Sequence, residues 1–300
     1  MLQFTKWRTE MKEIDGKTRV CGLIGNPVEH TLSPVIHNTL AEKRGHNLVY
    51  VPFLVQKGQI AEAVAGAQAL NILGLNVTVP YKSEVIACLK EIDPLAEQIG
   101  AVNTLVRVSG GYKGYNTDME GLYRAMLAEN IRIEGEEIIL LGAGGAARAV
   151  AFLCAAKGAK RVYLLNRTVN KAGIVADEVN KAAGREIISP MQLQDHRIIP
   201  DGKYLAIQGT SVGLSPHDDE VVIEDPEFYQ KVHTGFDLIY SPWETKFMRL
   251  VRETGEQAYN GLKMLLYQGV IAYELWNQIE VPEKEVSEVY DRLKKHFVQD

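Results

Sequence analysis

Leu141-Gly142-Ala143-Gly144-Gly145-Ala146-Ala147 joins an apolar run at residues 136–141, which reads as a β-strand, to a helix-like stretch at residues 144–158. The spacing is G-x-G-x-x-A, a dinucleotide-binding turn with alanine in the third place. Glycines without side chains let the backbone approach a pyrophosphate, and the N–H groups of the following helix favour an anion. A glycine turn alone is often no more than a tight turn. The strand before it and the helix after it are what support the nucleotide reading.

Further on, the chain continues the same alternation: strand 161–165, helix 171–183, strand 204–208 and strand 235–239. An NAD-binding unit places Asp or Glu about 20 residues past the turn, to hold the ribose 2′-hydroxyl. Here the chain reads Asn166-Arg167-Thr168, with Lys171 one turn later. Two cations and no carboxylate suit a 2′-phosphate, so NADP is favoured over NAD. Taken alone, the pair reads equally as two solvated cations after a strand.

Upstream lies a second α/β series. Residues 20–24, 48–55, 75–79, 102–108 and 112–115 read as strands, with Ser109-Gly110-Gly111 as a hairpin turn between the last two. Ser33-Pro34 is expected to open a helix, with Ser33 as N-cap, closed by Gly45. Helices are also expected at 59–70, 83–92 and 119–129, and at 261–276 and 283–297 near the end of the chain. Alternating strands and helices predict a mostly parallel sheet in each half, with a hinge near residues 118–135.

The first series carries a different chemistry. In Gly74-Leu75-Asn76-Val77-Thr78-Val79-Pro80-Tyr81-Lys82, the period of two puts Asn76 and Thr78 on one strand face. Lys82 follows at the carboxyl end, where open α/β sheets place their ligand crevice. Ala101-Val102-Asn103-Thr104 and Asn116-Thr117-Asp118 bring further polar groups to strand ends. A lysine and a carboxylate near a carbinol or ketone make a proton-transfer pair. Each piece also has a plainer reading: Asn103 as a turn residue, Asp118 as a helix cap, Lys82 as a surface charge.

Composition bounds the partners. The 300 residues carry 33 Lys+Arg and 38 Asp+Glu, a net charge of −5, which argues against nucleic acid or an anionic membrane as the main partner. No apolar run reaches the ~20 residues of a membrane span; residues 138–156 come nearest and are broken by Gly142, Gly144, Gly145 and Arg148. The first fifteen residues are polar and contain no secretory signal, and residues 1–17 are expected to be loosely ordered. Three scattered cysteines and seven histidines without ligand spacing offer neither a disulfide framework nor a metal site, so a reducing, cytoplasmic setting is expected. Asp218-Asp219-Glu220 reads as a solvated loop, and Tyr259, Tyr267, Tyr273 and Trp276 as packing.

Together these strings resemble the shikimate dehydrogenase family, from about Val20 to Trp276. Gly25-Asn26-Pro27-Val28-Glu29-His30-Thr31-Leu32-Ser33-Pro34 is similar to its opening signature. The blocks around Lys82, Asn103, Asp118, the glycine turn and Asn166 follow in the family's order. Phe236-Asp237-Leu238-Ile239-Tyr240-Ser241-Pro242 and Asn260-Gly261-Leu262-Lys263-Met264-Leu265-Leu266-Tyr267-Gln268 complete the set. The resemblance implies two α/β domains with the active site in the cleft between them. One is a substrate domain, residues 1–118 completed by helices in 256–300; the other is a Rossmann-type NADP domain, residues 119–255.

It implies Lys82 and Asp118 as catalytic pair in the reversible reduction of 3-dehydroshikimate to shikimate, a step of aromatic amino-acid biosynthesis. Thr31, Ser33 and Tyr240 would bind the substrate carboxylate, and Asn76, Thr78, Asn103, Asp118 and Gln268 its ring hydroxyls. The cofactor would meet Gly142, Ala143, Gly144, Gly145, Ala146, Asn166, Arg167, Thr168 and Lys171, with Thr210, Ser211, Leu238 and Gly261 along the nicotinamide. Thr31, Gln208, Met119 and Lys263 depart from the usual serine, asparagine, glycine and small residue. Thr31 and Met119 leave mixed use of quinate and shikimate open. A non-catalytic regulator is the remoter alternative, which loss of Lys82 or Asp118 would have signalled. The protein is expected to act on small molecules, as a monomer or homodimer. Arg167→Asp deletes a phosphate partner and supplies a ribose acceptor, so it should move cofactor preference from NADP toward NAD. An unchanged ratio of kcat/KM for the two nucleotides would remove this loop from cofactor selection.

Overall fold

The computed structural model describes residues 14–297; residues 1–13, most of the segment expected to be loosely ordered, lie outside it. The first series runs β1 (Arg19–Gly25), α1 (Ser33–Lys43), β2 (Leu48–Leu54), α2 (Ile60–Ala69), β3 (Gly74–Val77), β4 (Glu91–Ile92), α3 (Pro94–Ile99), β5 (Thr104–Val108), β6 (Gly111–Tyr115) and α4 (Asp118–Ala128). Its six strands lie in the order β2-β1-β3-β5-β6-β4. β1 pairs parallel to β2 and β3, whereas β5 runs antiparallel to β3 and β6. The central strand β3 is buried at every position, so its apolar residues are consumed on both faces.

Two local expectations fail here for readable reasons. Ser33 is the first helical residue of α1 rather than its N-cap, which is Leu32; the Ser33 N–H is taken up by the Thr31 hydroxyl at 3.2 Å. The helix expected at 83–92 is a single 3₁₀ turn, Glu84–Cys88, followed by β4. Asp93-Pro94 starts a separate helix instead: Pro94 holds Asp93 extended, and Asp93 caps α3 by accepting from Leu95 N–H.

The second series runs β7 (Glu137–Leu141), α5 (Gly145–Ala156), β8 (Arg161–Asn166), α6 (Val169–Ala183), β9 (Ile188–Gln192), β10 (Tyr204–Gln208), α7 (Pro226–Gln230), β11 (Val232–Asp237), α8 (Lys246–Glu253) and β12 (Gln257–Tyr259). The strands are all parallel, in the order β12-β11-β10-β7-β8-β9. This is the doubly wound order, and its direction reverses between β7 and β10, where such sheets bind their ligand. The glycine turn follows β7 and so stands at the reversal. β9, α7, α8 and β12 had no counterpart in the sequence reading. β11 stops at Asp237, two residues before the expected end, because the Asp237 carboxylate accepts from Ile239 N–H and turns the chain.

The chain closes with α9 (Leu262–Asn277) and α10 (Glu283–Lys294). No helix among the described residues is long and apolar enough to cross a membrane. α4, which leaves the first sheet, packs along α9, which returns from the second. They meet at Gly121, where an added Cβ would stand 2.7 Å from Gln268 N and 2.9 Å from its Cα. Gly121→Ala therefore wedges the helices apart and should cost about 1–3 kcal/mol, the range for overpacking. A urea unfolding midpoint equal to that of the parent would show that the pair tolerates the extra methyl.

Candidate active site

Lys82 leaves the first sheet just beyond β3. Its backbone is held on both sides: its carbonyl accepts from Val102 N–H at 2.7 Å, and the neighbouring buried Tyr81 donates its hydroxyl to the Val55 carbonyl at 2.7 Å. The ammonium meets Asp118 Oδ2 at 2.7 Å. Asp118 is the first residue of α4, where the positive end of the helix favours a carboxylate. The pair lines a cavity of about 380 Å³, together with Thr31, Ser33, Asn76, Thr78, Asn103, Tyr240, Gly261 and Gln268. Every residue assigned to the substrate from the sequence is therefore in one place. Thr31 donates its hydroxyl to Ser33 Oγ at 3.2 Å, so the two hydroxyls sit side by side.

Behind the pair runs a buried polar network. Asn103 Nδ2 donates to Asp118 Oδ1 at 2.8 Å and to Thr117 Oγ1 at 3.0 Å, while its Oδ1 accepts from Thr117 N–H at 2.7 Å and from Thr104 Oγ1 at 3.1 Å. Asn76 Nδ2 donates to Thr104 Oγ1 and to the Asn103 carbonyl, and its Oδ1 accepts from Tyr50 at 2.8 Å and from His37 Nε2 at 3.1 Å. The four bonding positions of the Asn76 amide are thus spent inside the protein. Burial pushes the His37 imidazole down to about 3, so the ring is neutral and carries its proton on Nε2. His37, Tyr50, Thr104 and Thr117 were not singled out as site residues. His37 stands four residues after Ser33 on the same helix, a detectable spacing; nothing local reveals that Tyr50, from another strand, completes the amide.

A second cavity of about 1760 Å³ is lined by Gly142, Ala143, Gly144, Gly145, Ala146, Asn166, Arg167, Lys171, Thr210, Ser211 and Leu238. An added Cβ on Gly144 or Gly145 would meet nothing within 4 Å, so the start of α5 presents bare backbone to this space. Gly142 has φ +105°, a conformation that favours glycine, and an added Cβ would lie 2.6 Å from Thr210. Arg167 and Lys171 border the same space, and Asn166 ends β8 where an NAD site places its carboxylate. These groups fit a dinucleotide carrying a 2′-phosphate. Thr168 stands outside the lining, at the N-cap position of α6, where its carbonyl accepts from Asn166 Nδ2. Gly261 borders the smaller cavity. Asp219 and Glu220, expected in a solvated loop, are exposed but border the larger one. His30, Ala146, Leu238 and Tyr240 line both cavities, which therefore adjoin.

Three family models match successive parts of the chain. The shikimate dehydrogenase substrate binding domain matches residues 23–105, shikimate / quinate 5-dehydrogenase residues 126–196, and the shikimate 5′-dehydrogenase C-terminal domain residues 261–289. Shikimate dehydrogenase (NADP(+)) of Desulforamulus reducens is 43% identical over 278 residues, covering 90% of this chain and 93% of its own. The chain belongs to the shikimate dehydrogenase family. Among solved structures, shikimate 5-dehydrogenase of Listeria monocytogenes in complex with shikimate and NAD superimposes with a TM-score of 0.85 at 30% identity, over 94% of this chain and 98% of that one. Shikimate 5-dehydrogenase of Thermus thermophilus, in complex with NADP(H) and shikimate, gives 0.79 at 31% identity, over 91% and 99%.

The departures from the family pattern find ordinary places. Met119 is buried in the core, and Lys263 pairs with Glu129 at 2.6 Å. Gln208 is buried beside Asp237, a fully buried carboxyl that accepts from Thr245 Oγ1, Ile239 N–H and Gln208 Nε2. Burial pushes Asp237 up to about 7, against the lowering effect of those three donors. In the unfolded chain the group loses its proton near 3.8, and in the folded chain only near 7. Its contribution to stability is therefore full below about pH 3.8 and is lost as pH rises through about 7. The shift corresponds to at most about 4 kcal/mol. Asp237→Asn has no such proton, so its unfolding free energy should fall less steeply than that of the parent between pH 5 and 8. Parallel curves would mean that Asp237 titrates near its ordinary value.

Proposed function

We propose that the two adjoining cavities are the site of an NADP-dependent oxidoreductase that reversibly reduces 3-dehydroshikimate to shikimate, with Lys82 and Asp118 as its catalytic pair. The observation that carries this reading is the Lys82–Asp118 ion pair in a small cavity that shares four lining residues with a nucleotide-sized one. NADPH, held by the glycine turn with Arg167 and Lys171, would supply the hydride for reduction of the ring ketone. Lys82, as ammonium, gives its proton to the ketone oxygen as negative charge develops there, and takes a proton back in the oxidative direction. Asp118 holds Nζ through Oδ2, and Asn103 keeps the carboxylate from turning by donating to Oδ1.

Thr31, Ser33 and Tyr240 hold the substrate carboxylate, and Asn76, Thr78, Asn103, Asp118 and Gln268 the ring hydroxyls. The amides of Asn76 and Asn103 each have four protein partners, so each exchanges one of them to meet a hydroxyl. The glycine turn from Gly142 to Ala146 takes the pyrophosphate, and Arg167 and Lys171 the 2′-phosphate. Asn166 and Thr168 shape that loop, while Thr210, Ser211, Leu238 and Gly261 lie along the nicotinamide. The substrate domain comprises residues 1–118 and 260–300 and the NADP domain 119–259, a shift of four residues from the boundary expected at 255. Because β12 pairs into the second sheet, the return crossing falls just after Tyr259. We place the protein in the cytoplasm, as a monomer or homodimer.

Thr31, with a methyl where serine is usual, favours a second reading in which quinate is also used. Crossing shikimate and quinate with NADP and NAD in a steady-state assay tests both. The highest kcat/KM is expected for shikimate with NADP, and absence of turnover with either polyol would sink the proposal. Lys82→Ala should lower kcat by roughly 10²–10⁴-fold, the usual contribution of a positioned proton donor, while shikimate binding measured by calorimetry survives. A near-normal kcat would rule out the proton-transfer role.

A further inference from the structure

Two loops border the larger cavity beside its junction with the smaller: residues 209–212, which follow β10, and residues 238–240, which follow β11. Both are irregular backbone, whose polar groups need partners wherever water is shut out. Those partners are two side chains at the ends of adjacent strands. Gln208, the last residue of β10, accepts from Thr210 N–H through Oε1 at 2.5 Å and donates from Nε2 to the Val212 carbonyl at 3.0 Å. Asp237, the last residue of β11, accepts through Oδ1 from Ile239 N–H at 2.9 Å and from Gln208 Nε2 at 3.3 Å. Asp237 Oδ2 accepts from Thr245 Oγ1 at 2.7 Å, and that hydroxyl oxygen caps α8 by accepting from Met248 N–H. Gln208 and Asp237 are 1% and 0% exposed, so neither borders the cavity.

We propose that Asp237 and Gln208 form a brace that sets the spacing of the 209–212 and 238–240 loops, and are positioning residues for the dinucleotide. The inference rests on the nucleotide reading of the larger cavity. The direction of each bond follows from the groups themselves. Asp237 Oδ1 already accepts from Ile239 N–H and stays an acceptor whether or not the group carries a proton on Oδ2, so the Gln208 amide must turn Nε2 toward it; its oxygen then faces Thr210 N–H, and its nitrogen also meets the Val212 carbonyl. One buried carboxylate thereby decides which way the amide points, and the amide decides where the loop runs. No cation pairs with Asp237 among the described residues, so loop geometry, and not charge neutralisation, is what its three bonds secure. The Gln208 side chain is long enough to carry its amide past Gly209 to both Thr210 and Val212.

The test uses Gln208→Met, which keeps length and volume and removes the amide. Dissociation constants for NADP, and KM for NADP and shikimate, are compared with those of the parent protein. A rise of tenfold or more in both NADP constants is expected, with KM for shikimate rising threefold at most, through Tyr240 on the 238–240 loop. General loosening of the fold would move both substrates together. Hydrogen exchange should quicken in residues 209–212 and 238–240 and stay at parent rates in α1 and β3. Should Gln208→Met not fold, Gln208→Glu takes its place: it still accepts from Thr210 N–H but, as a carboxylate, donates to neither the Val212 carbonyl nor Asp237, and a threefold or greater rise in the NADP constant is expected. NADP binding within twofold of the parent in a folded variant overturns the proposal. A parent protein that binds no NADP would instead overturn the nucleotide reading on which it rests.

Discussion

The contact between α4 and α9 at Gly121 is the constraint on which the cleft depends. α4 carries the chain away from the first sheet and α9 follows the second, and both contribute residues to the smaller cavity, so their packing fixes those residues relative to one another. Asp118 begins α4, and Met264, Leu265 and Gln268 of α9 line the smaller cavity. A side chain at residue 121 would strike the backbone of Gln268 directly. Close helix packing and a working distance across the site are thus one requirement, and it explains a glycine in the middle of a helix, where it costs about 1 kcal/mol against alanine.

Two carboxyl groups near the cleft have opposite surroundings and, on the proposed reading, opposite duties. Asp118 is partly exposed, paired with an ammonium and steadied by an amide. It fits a group that must hold a proton donor in place through turnover. Asp237 is sealed from solvent and meets only neutral donors, two of them tied to loop backbone. The chain is acidic overall, yet Lys82, Arg167 and Lys171 all border the cavities, as anionic ligands require.

Where the sequence reading failed, a short-range signal or a weak pattern was responsible. The stretch 83–92 has helix-like apolar residues, but Asp93-Pro94 restarts the chain and leaves one 3₁₀ turn. β12 is three residues long and α7 five, too short for any periodicity to register. They exist because the neighbouring strand and helices offer partners. Ser33 looked like a cap and is a helical residue instead, since the Thr31 hydroxyl reached its N–H first.

The residues that approach ligands were legible because they occur in local strings: the glycine turn, Asn166 to Lys171, and the blocks around Lys82, Asn103 and Asp118. Backbone approach, a strand end and a charge of the right sign are all encoded within a few neighbouring positions. The alternation of strands and helices likewise determined the class of fold. What only the tertiary structure decided is which groups stand behind those residues. Asn76 is satisfied by His37 and Tyr50, and Asp237 meets Gln208 and Thr245, through contacts between residues 8 to 39 positions apart. Hydrogen bonds of that kind carry no period and no spacing. They form only where folding brings separate elements together and removes the water that would otherwise take their place.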